Sequence, residues 1–462
     1  MAFSRNPLRV NFVSRFARGS DLMTRISRHA VRGVLIAASL IVTGCSGILE
    51  VEDPQAFGDA DLNSPVIIKN VSNGAEGSLH QAFDDVVVVT ALQGDEIEST
   101  STWIDWEDIS EGRLRGDWAT TGSFSGPLDA VLRARYAAQS AADRIKTVLG
   151  ATANASPLLT QVTWVDGFSD LLIGSSFCEG PLTQGGAREP NTKFFPQAVT
   201  KFTAALNLVN SIPAADQVRW RSVLLASRAR ANLFAGNYDA ALADALAVPV
   251  GFLKEAVYAE GAANQQSTTG NQLHQNRNRS GGLRRMYHAR VLGSFTATGY
   301  TNGTLADWFD ATKPDPRMAV TRKLNEKGVN NRFDYFGIAK YSDRAANQVL
   351  ISSREMALVA AEVYMRKGDF ANMATKLNEN RTAVGLAPIP APANAAAAQT
   401  ALLNERMAVL FVEGQRMYDL HRFNLVRSTL GGDRSTMLPL SRSEILANPN
   451  MKEGQATCPK LS

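Results

Sequence analysis

The residue types that most often carry catalytic chemistry are present in this chain without the spacing that such chemistry needs. The five histidines are His29, His80, His274, His288 and His421. They are too scattered to match the spacing of metal ligands. A glycosidase needs two carboxylates at a set separation, but among 44 acidic residues some pair always looks suitable. Neither the serine-hydrolase pattern G-x-S-x-G nor the phosphate-loop pattern G-x-x-x-x-G-K-[ST] occurs in the sequence. We therefore expect no enzyme, no catalytic residue, no metal and no cofactor, and a glycoside hydrolase is only a weaker alternative.

Three tryptophans in loop-like segments are better candidates for a binding site. Trp103 and Trp106 lie in a stretch rich in serine, threonine and acids, and Trp308 lies in an irregular stretch between 299 and 342. Sugar rings present apolar C–H faces, so a carbohydrate site stacks them on exposed aromatic rings and orients them with a few polar groups. The alternative for each tryptophan is that it only covers hydrophobic surface.

The first 44 residues form a leader that is typical of exported proteins. Seven arginines and one aspartate precede or flank the nine-residue apolar run 34–42, which is too short for the roughly 20 residues that span a bilayer. The run ends in Val42-Thr43-Gly44-Cys45, which resembles the bacterial lipobox, where cleavage before the cysteine leaves a lipid-bearing thiol. We predict a lipid anchor at Cys45 and a true translation start at Met23, because residues 1–22 do not fit a compact signal peptide.

The net charge of +4 belongs to this leader. The mature part, 45–462, is slightly acidic and shows no basic face, so we expect no nucleic-acid partner. Cys178 and Cys458 are the other two cysteines, and an exported protein meets oxidising conditions, so they could form a disulfide. The alternative is two unpaired thiols.

The mature part reads as mostly helix. Apolar residues recur at spacings of three and four in the alanine-rich stretch 134–149, and again in 356–364 and 403–418, which predicts amphipathic helices that pack closely. Trp164 and Trp220 lie in helical patterns and are expected in the core, whereas Trp118 is undecided.

Two stretches of the chain match each other. In 229–245 and 361–377 a helix ends at glycine, Gly236 or Gly368, and an aromatic residue follows two positions later. This is the tetratricopeptide-like helical hairpin, in which glycine supplies the left-handed turn. The insertions between hairpins are recognisable by composition: 261–282 predicts a long surface loop, 299–342 predicts short strands and loops, and the proline-rich 387–399 predicts a spacer.

The segment 404–422, NERMAVLFVEGQRMYDLHR, closely resembles the signature of SusD/RagB-like outer-membrane lipoproteins. Four further segments resemble the same family: LEVEDP after Cys45, 177–182, 354–386, and the closing stretch with Leu438-Pro439-Leu440, Glu444 and Asn448-Pro449-Asn450. The spacing within the signature predicts that Glu413, Arg416, Asp419 and Arg422, three residues apart, pair along one helical face and shape the scaffold. Gly414 is expected to let another helix approach.

The resemblance implies a mostly α fold of tetratricopeptide-like hairpins with long irregular loop and short-strand insertions. It implies one domain over 45–462, with an irregular insertion at 260–345, anchored by lipid in the outer membrane and facing the cell exterior. Members of the family bind a polysaccharide, oligosaccharide or peptide and deliver it to a TonB-dependent transporter. The ligand surface of the family draws on early loops and the late insertion, where Trp103, Trp106 and Trp308 lie. A scaffold that binds only proteins at the outer membrane is the alternative function.

Overall fold

Thirteen α-helices carry the fold of the described residues. The computed structural model describes residues 58–452 and 458, with gaps at 101, 103, 115–125, 260–269, 274–284, 288–301, 329–330, 332–333, 342 and 433. The leader, Cys45, Trp103 and Trp118 therefore lie outside the described residues. From Asp59 onward the chain forms one unit.

The helices fall into a group before the insertion and a group after it. They are α1 (Ile68–Gln93), α2 (Ile104–Ser110), α3 (Pro127–Leu149), α4 (Pro157–Ser176), α5 (Phe194–Val209), α6 (Ala214–Ala235), α7 (Tyr238–Ala247), α8 (Ser353–Arg366), α9 (Phe370–Thr382), α10 (Ala395–Val409), α11 (Arg416–Arg422), α12 (Val426–Leu430) and α13 (Arg442–Ala447). No helix in this part of the chain is both long enough and apolar enough to cross a membrane.

The first group packs as a succession of neighbouring helices. α1 contacts α3, and each of α3, α4 and α5 contacts the helix after it. The alanine stripe of α3 is buried, as its spacing predicted, since small side chains let helices approach closely. Trp164 and Trp220 are buried in the core, which confirms that expectation, and the Trp164 indole N–H donates to Ser227 Oγ at 3.0 Å.

The two hairpins predicted from the internal match are present. Gly236 (φ +82°) ends α6 before α7, and Gly368 (φ +75°) lies between α8 and α9. Both glycines have left-handed backbone. This conformation is sterically unfavourable for residues with a Cβ atom, and glycine has none. α7 contacts α8, so the two hairpins pack side by side although they are distant in sequence. An apolar cluster that includes Ala229, Ala241 and Val359 fills the space between them.

The strands are antiparallel, and all except one of 14 residues are short. They are β1 (Ile97–Ser99), β2 (Glu179–Pro181), β3 (Arg188–Pro190), β4 (Leu253–Ala256), β5 (Arg285–Tyr287), β6 (Asn302–Ala306), β7 (Pro314–Lys327), β8 (Asp334–Ile338) and β9 (Gln348–Ser352). β1 pairs with β5, β2 with β3 and β4 with β9, while β6, β7 and β8 form one three-stranded sheet. Met318 and Val320 are buried two positions apart on β7, which places one face of this sheet against the helices.

The signature segment is broken rather than one continuous helix. α10 ends at Val409 and α11 begins at Arg416, and between them Val412 (φ +51°) and Gly414 (φ +74°) have left-handed backbone. A Cβ on Gly414 would lie 3.2 Å from Val87 Cγ2, so the turn packs tightly against α1. The expected close approach at Gly414 is present, but the single helix predicted from the spacing is wrong.

The charged residues of the signature pair mostly with distant elements. The pairs are Arg406 with Asp419 (2.6 Å), Arg416 with Asp95 (2.6 Å), Glu413 with Lys340 (2.6 Å), Arg422 with Glu362 (2.6 Å) and Arg422 with Asp419 (2.8 Å). Only the last pair is one of the expected pairs three residues apart. These contacts join the segment to the residues that follow α1, to α8 and to the insertion. Breaking a buried pair would leave an uncompensated charge.

The C-terminal segment runs beside the end of α4. The backbone N–H of Leu438 donates to Ser176 O at 2.9 Å, and that of Cys178 donates to Leu438 O at 3.0 Å. The sulfur atoms of Cys178 and Cys458 lie at bonding distance, 1.99 Å. The oxidised state of this pair in the exported protein stays a prediction, which is tested below.

Candidate functional site

An open groove lies where the insertion meets the spacer between α9 and α10. One wall is the turn between β6 and β7, with Phe309, Asp310 and Lys313, and the other is the stretch 384–393. We call it the insertion groove. Its volume is about 1090 Å³, slightly above the roughly 300–1,000 Å³ of most small-ligand sites.

Buried ion pairs hold the base of the insertion groove. Arg381 on α9 contacts Asp307 at 2.6 Å and Glu405 of α10 at 2.8 Å, and all three side chains are almost completely buried. Arg317 of β7 joins the same Glu405 at 2.7 Å and Asp315 at 2.6 Å. Two arginines and three carboxylates therefore clamp the insertion to the α9–α10 pair.

The ion pairs favour the charged form of Arg381. Burial opposes the charged form of Arg381, but the hydrogen bonds and charges of Asp307 and Glu405 outweigh it and raise the pKa of the guanidinium. The cluster has one more carboxylate than guanidinium, so the base of the groove has an excess of acidic groups.

The spacer wall is held from below by α9. Asn378 Nδ2 donates to Ile389 O at 2.9 Å, and the Ile389 N–H donates to Asn378 Oδ1 at 2.8 Å. Arg381 Nε donates to Ala387 O at 2.8 Å. The rest of this wall is mainly proline and alanine, and proline has no N–H group. The wall is thus a fixed and mainly apolar surface.

Polar groups stand at the mouth of the groove. The ring of Phe309 is 36% exposed and lies 4.6 Å from the Arg381 guanidinium, a cation–π contact that orients the ring. The Thr312 hydroxyl and backbone N–H donate to Asp310 and lower the pKa of that carboxyl group. Lys313, also at the mouth, supplies a positive charge.

The tryptophans singled out by the sequence have different positions. Trp106 on α2 is only 3% exposed and belongs to the hydrophobic core, which corrects the expectation that it offers a ring to a ligand. The physical reason is that the segment folds as a helix, and this face of the helix turns inward. Trp308 is half-buried against the same core, while its neighbours Asp307 and Phe309 line the groove. Trp103 lies outside the described residues.

The sequence singled out Trp308, which neighbours the groove, but not Phe309, which lines it. A phenylalanine beside a tryptophan carries no signal of its own, and the opposite wall comes from residues about 75 positions later. The sequence identified the proline-rich stretch 388–392 only as a spacer and not as a wall of a groove. Among the described residues, no group of three or more histidine, cysteine, aspartate or glutamate side chains could hold a metal ion.

Residues 253–456 match the model of the SusD family. Solved structures share the fold across most of the chain. A SusD superfamily protein of Bacteroides vulgatus is 15% identical with a TM-score of 0.62, covering 83% of this chain and 98% of that one. A SusD-like protein of Bacteroides fragilis is 12% identical with a TM-score of 0.63, covering 86% and 99%. A SusD-like carbohydrate binding protein of Bacteroides vulgatus is 16% identical with a TM-score of 0.57, covering 86% and 98%.

A comparison with curated protein sequences finds no match. Residues 253–456 thus match the SusD/RagB-like family, as the signature segment predicted, and the fold of SusD-like structures extends over most of the chain.

Proposed function

We propose that this protein is an outer-membrane lipoprotein that binds a glycan or other nutrient in the insertion groove and delivers it to a TonB-dependent transporter. The observation that carries the proposal is the groove itself, because a rigid cleft of this size with apolar walls and charged groups at its mouth is suited to an extended ligand. Trp308, next to the groove, and Trp103 remain candidate contacts. The carbohydrate binding stated for one structural relative supports a glycan.

The anchor in this proposal is Cys45. The basic, apolar and small-residue order of 23–45 supports export and lipid attachment on the cysteine. A single acyl chain binds membranes only marginally, whereas several chains hold a protein firmly. We propose that the lipid keeps the protein at the cell surface, where a transporter can receive the ligand.

Ligand retention by the mature lipoprotein in detergent tests the proposal. Affinity electrophoresis and calorimetry against polysaccharides, oligosaccharides and peptides should find at least one ligand that the protein binds. Phe309→Ala should weaken its binding about tenfold, since the variant removes the exposed ring of the groove. Val218→Ala is the matched control, because Val218 is 72% exposed on α6 and does not line the groove.

Two results would contradict the proposal. Equal affinity of the Phe309→Ala and Val218→Ala proteins for the ligand would show that the ligand does not bind in the insertion groove. If the protein bound none of the polysaccharides, oligosaccharides or peptides but co-purified with a transporter, the result would favour a scaffold that binds only proteins.

A further inference from the structure

A second groove, separate from the insertion groove, lies where α3 and the β2–β3 turn meet the C-terminal segment. Its lining includes Arg133, Tyr136 and Gln139 of α3, Gln184 of the turn between β2 and β3, and Glu444 of α13. We call it the Tyr136 groove. Its volume is about 390 Å³, and it shares no lining residue with the insertion groove.

The walls of the Tyr136 groove are fixed by the closing stretch of the chain. Asn448 Nδ2 donates to Gly186 O at 2.9 Å and Asn450 Nδ2 donates to Gly185 O at 2.6 Å, so both asparagines hold the β2–β3 turn. Asn448 also donates to Glu444 Oε1 at 2.9 Å, which positions that carboxylate. A preorganised wall reduces the entropy lost when a ligand binds.

The opposite wall is equally rigid. Buried Arg135 donates to Pro181 O at 2.7 Å and so ties α3 to β2. Gln139 Nε2 donates to Asp166 Oδ1 at 3.0 Å, which orients the amide of Gln139. Arg135 is buried, and Gln139 uses only part of its hydrogen-bonding capacity in this contact.

The side chains that remain exposed have the chemistry of a sugar site. Tyr136 is 55% exposed, and its ring can stack on an apolar sugar face. The exposed guanidinium of Arg133, two amides and two carboxylates line the groove beside it, and such groups donate to and accept from neighbouring hydroxyls.

The charges of the groove argue against an anionic ligand. The carboxylates of Asp129 and Glu444 line the groove together with the Arg133 guanidinium, so an anion meets repulsion as well as attraction. Leu132, Pro181 and Ala447 add apolar surface beside Tyr136, which suits the apolar face of a sugar ring. We propose that the Tyr136 groove is a second binding site, for a neutral oligosaccharide or one end of a neutral polysaccharide.

Affinity electrophoresis in gels containing amylopectin, laminarin, xylan or galactomannan tests this proposal on the mature lipoprotein. We expect wild type to be retained by at least one of them and Tyr136→Ala to be retained about tenfold more weakly. Tyr136→Phe keeps the ring and should stay near wild type, and Val218→Ala is the exposed-residue control. Circular dichroism and the urea midpoint should be unchanged in all three variants.

The Phe309→Ala variant separates this site from the insertion groove. If the two grooves bind independently, the loss caused by Tyr136→Ala should be the same with and without Phe309→Ala. Unchanged retention in Tyr136→Ala, equal loss in Tyr136→Phe, or no retention of wild type in any of the four gels would overturn the proposal. Preferential binding of polygalacturonate that is lost in Arg133→Ala would assign the groove to an anion and would also overturn it.

Discussion

Replacing Glu96 with glutamine should remove a pH-dependent loss of stability from this protein. Glu96 follows α1 and is 1% exposed. Its Oε1 accepts the backbone N–H of Val412 at 2.6 Å, and its Oε2 has no hydrogen-bond partner among the described residues. Burial raises the pKa of this carboxyl group to about 8, against the opposing effect of the Val412 N–H.

The size and sign of the effect follow from the two pKa values. In the unfolded chain the group titrates near 4.5, and in the folded protein near 8. Between these values the folded protein holds a proton that the unfolded chain has released, so the free energy of unfolding falls as pH rises. At 1.36 kcal/mol per unit of pKa shift, the loss from pH 4.5 to above pH 8 is about 5 kcal/mol. Glutamine keeps the acceptor for Val412 and cannot ionise.

Urea unfolding followed by circular dichroism at pH 5, 6, 7, 8 and 9 measures the effect. Wild type and Glu96→Gln should have similar stability at pH 5, and the variant should become steadily more stable than wild type up to pH 8. Glu379→Gln, which changes a glutamate with a 46% exposed side chain on α9, is the control and should follow wild type. Parallel pH curves for wild type and Glu96→Gln would refute the reasoning, because the buried group would then have the same pKa in both states.

Three further predictions concern the anchor, the clamp and the cysteines. Cys45→Ala should move the protein from the membrane to the soluble fraction on cell fractionation, and a variant that still sediments with outer membranes would refute the lipid anchor. Arg381→Ala should lower the free energy of unfolding by about 3–5 kcal/mol in urea titrations, because it leaves the buried Asp307 without its cation and Glu405 with Arg317 alone; a change below about 1 kcal/mol would contradict the clamp. Mass spectrometry of the non-reduced protein should find one peptide pair linking Cys178 and Cys458, and Cys458→Ser should cost about 2–4 kcal/mol. Free thiols at both positions would show that the pair is reduced.

Features that depend on neighbouring residues could be predicted from the sequence. The hairpin turns at Gly236 and Gly368 follow from a local pattern, because a left-handed residue between two helices favours glycine. The burial of Trp164 and Trp220 follows from helical periodicity. The resemblance to the SusD/RagB-like family was recognisable from the order of residues in 404–422.

Most ion pairs of the same segment could not be predicted from its spacing. Spacing along one helix suggested that Arg416 pairs with its neighbours, whereas the turn at Val412 and Gly414 directs it to Asp95, which lies 321 positions earlier. A local rule assumes that the helix continues. Tertiary packing against α1 decided that it does not.

Local sequence was thus sufficient for the helical hairpins, the buried Trp164 and Trp220, the resemblance to the SusD/RagB-like family and the expectation of a lipid anchor at Cys45. The two grooves were decided only by the folded chain. Phe309 faces a proline wall from another part of the sequence, and Tyr136 stands beside residues of β2–β3 and α13. A binding surface of this kind depends on which distant segments the buried ion pairs and backbone hydrogen bonds bring together, and no periodicity along one segment contains that information.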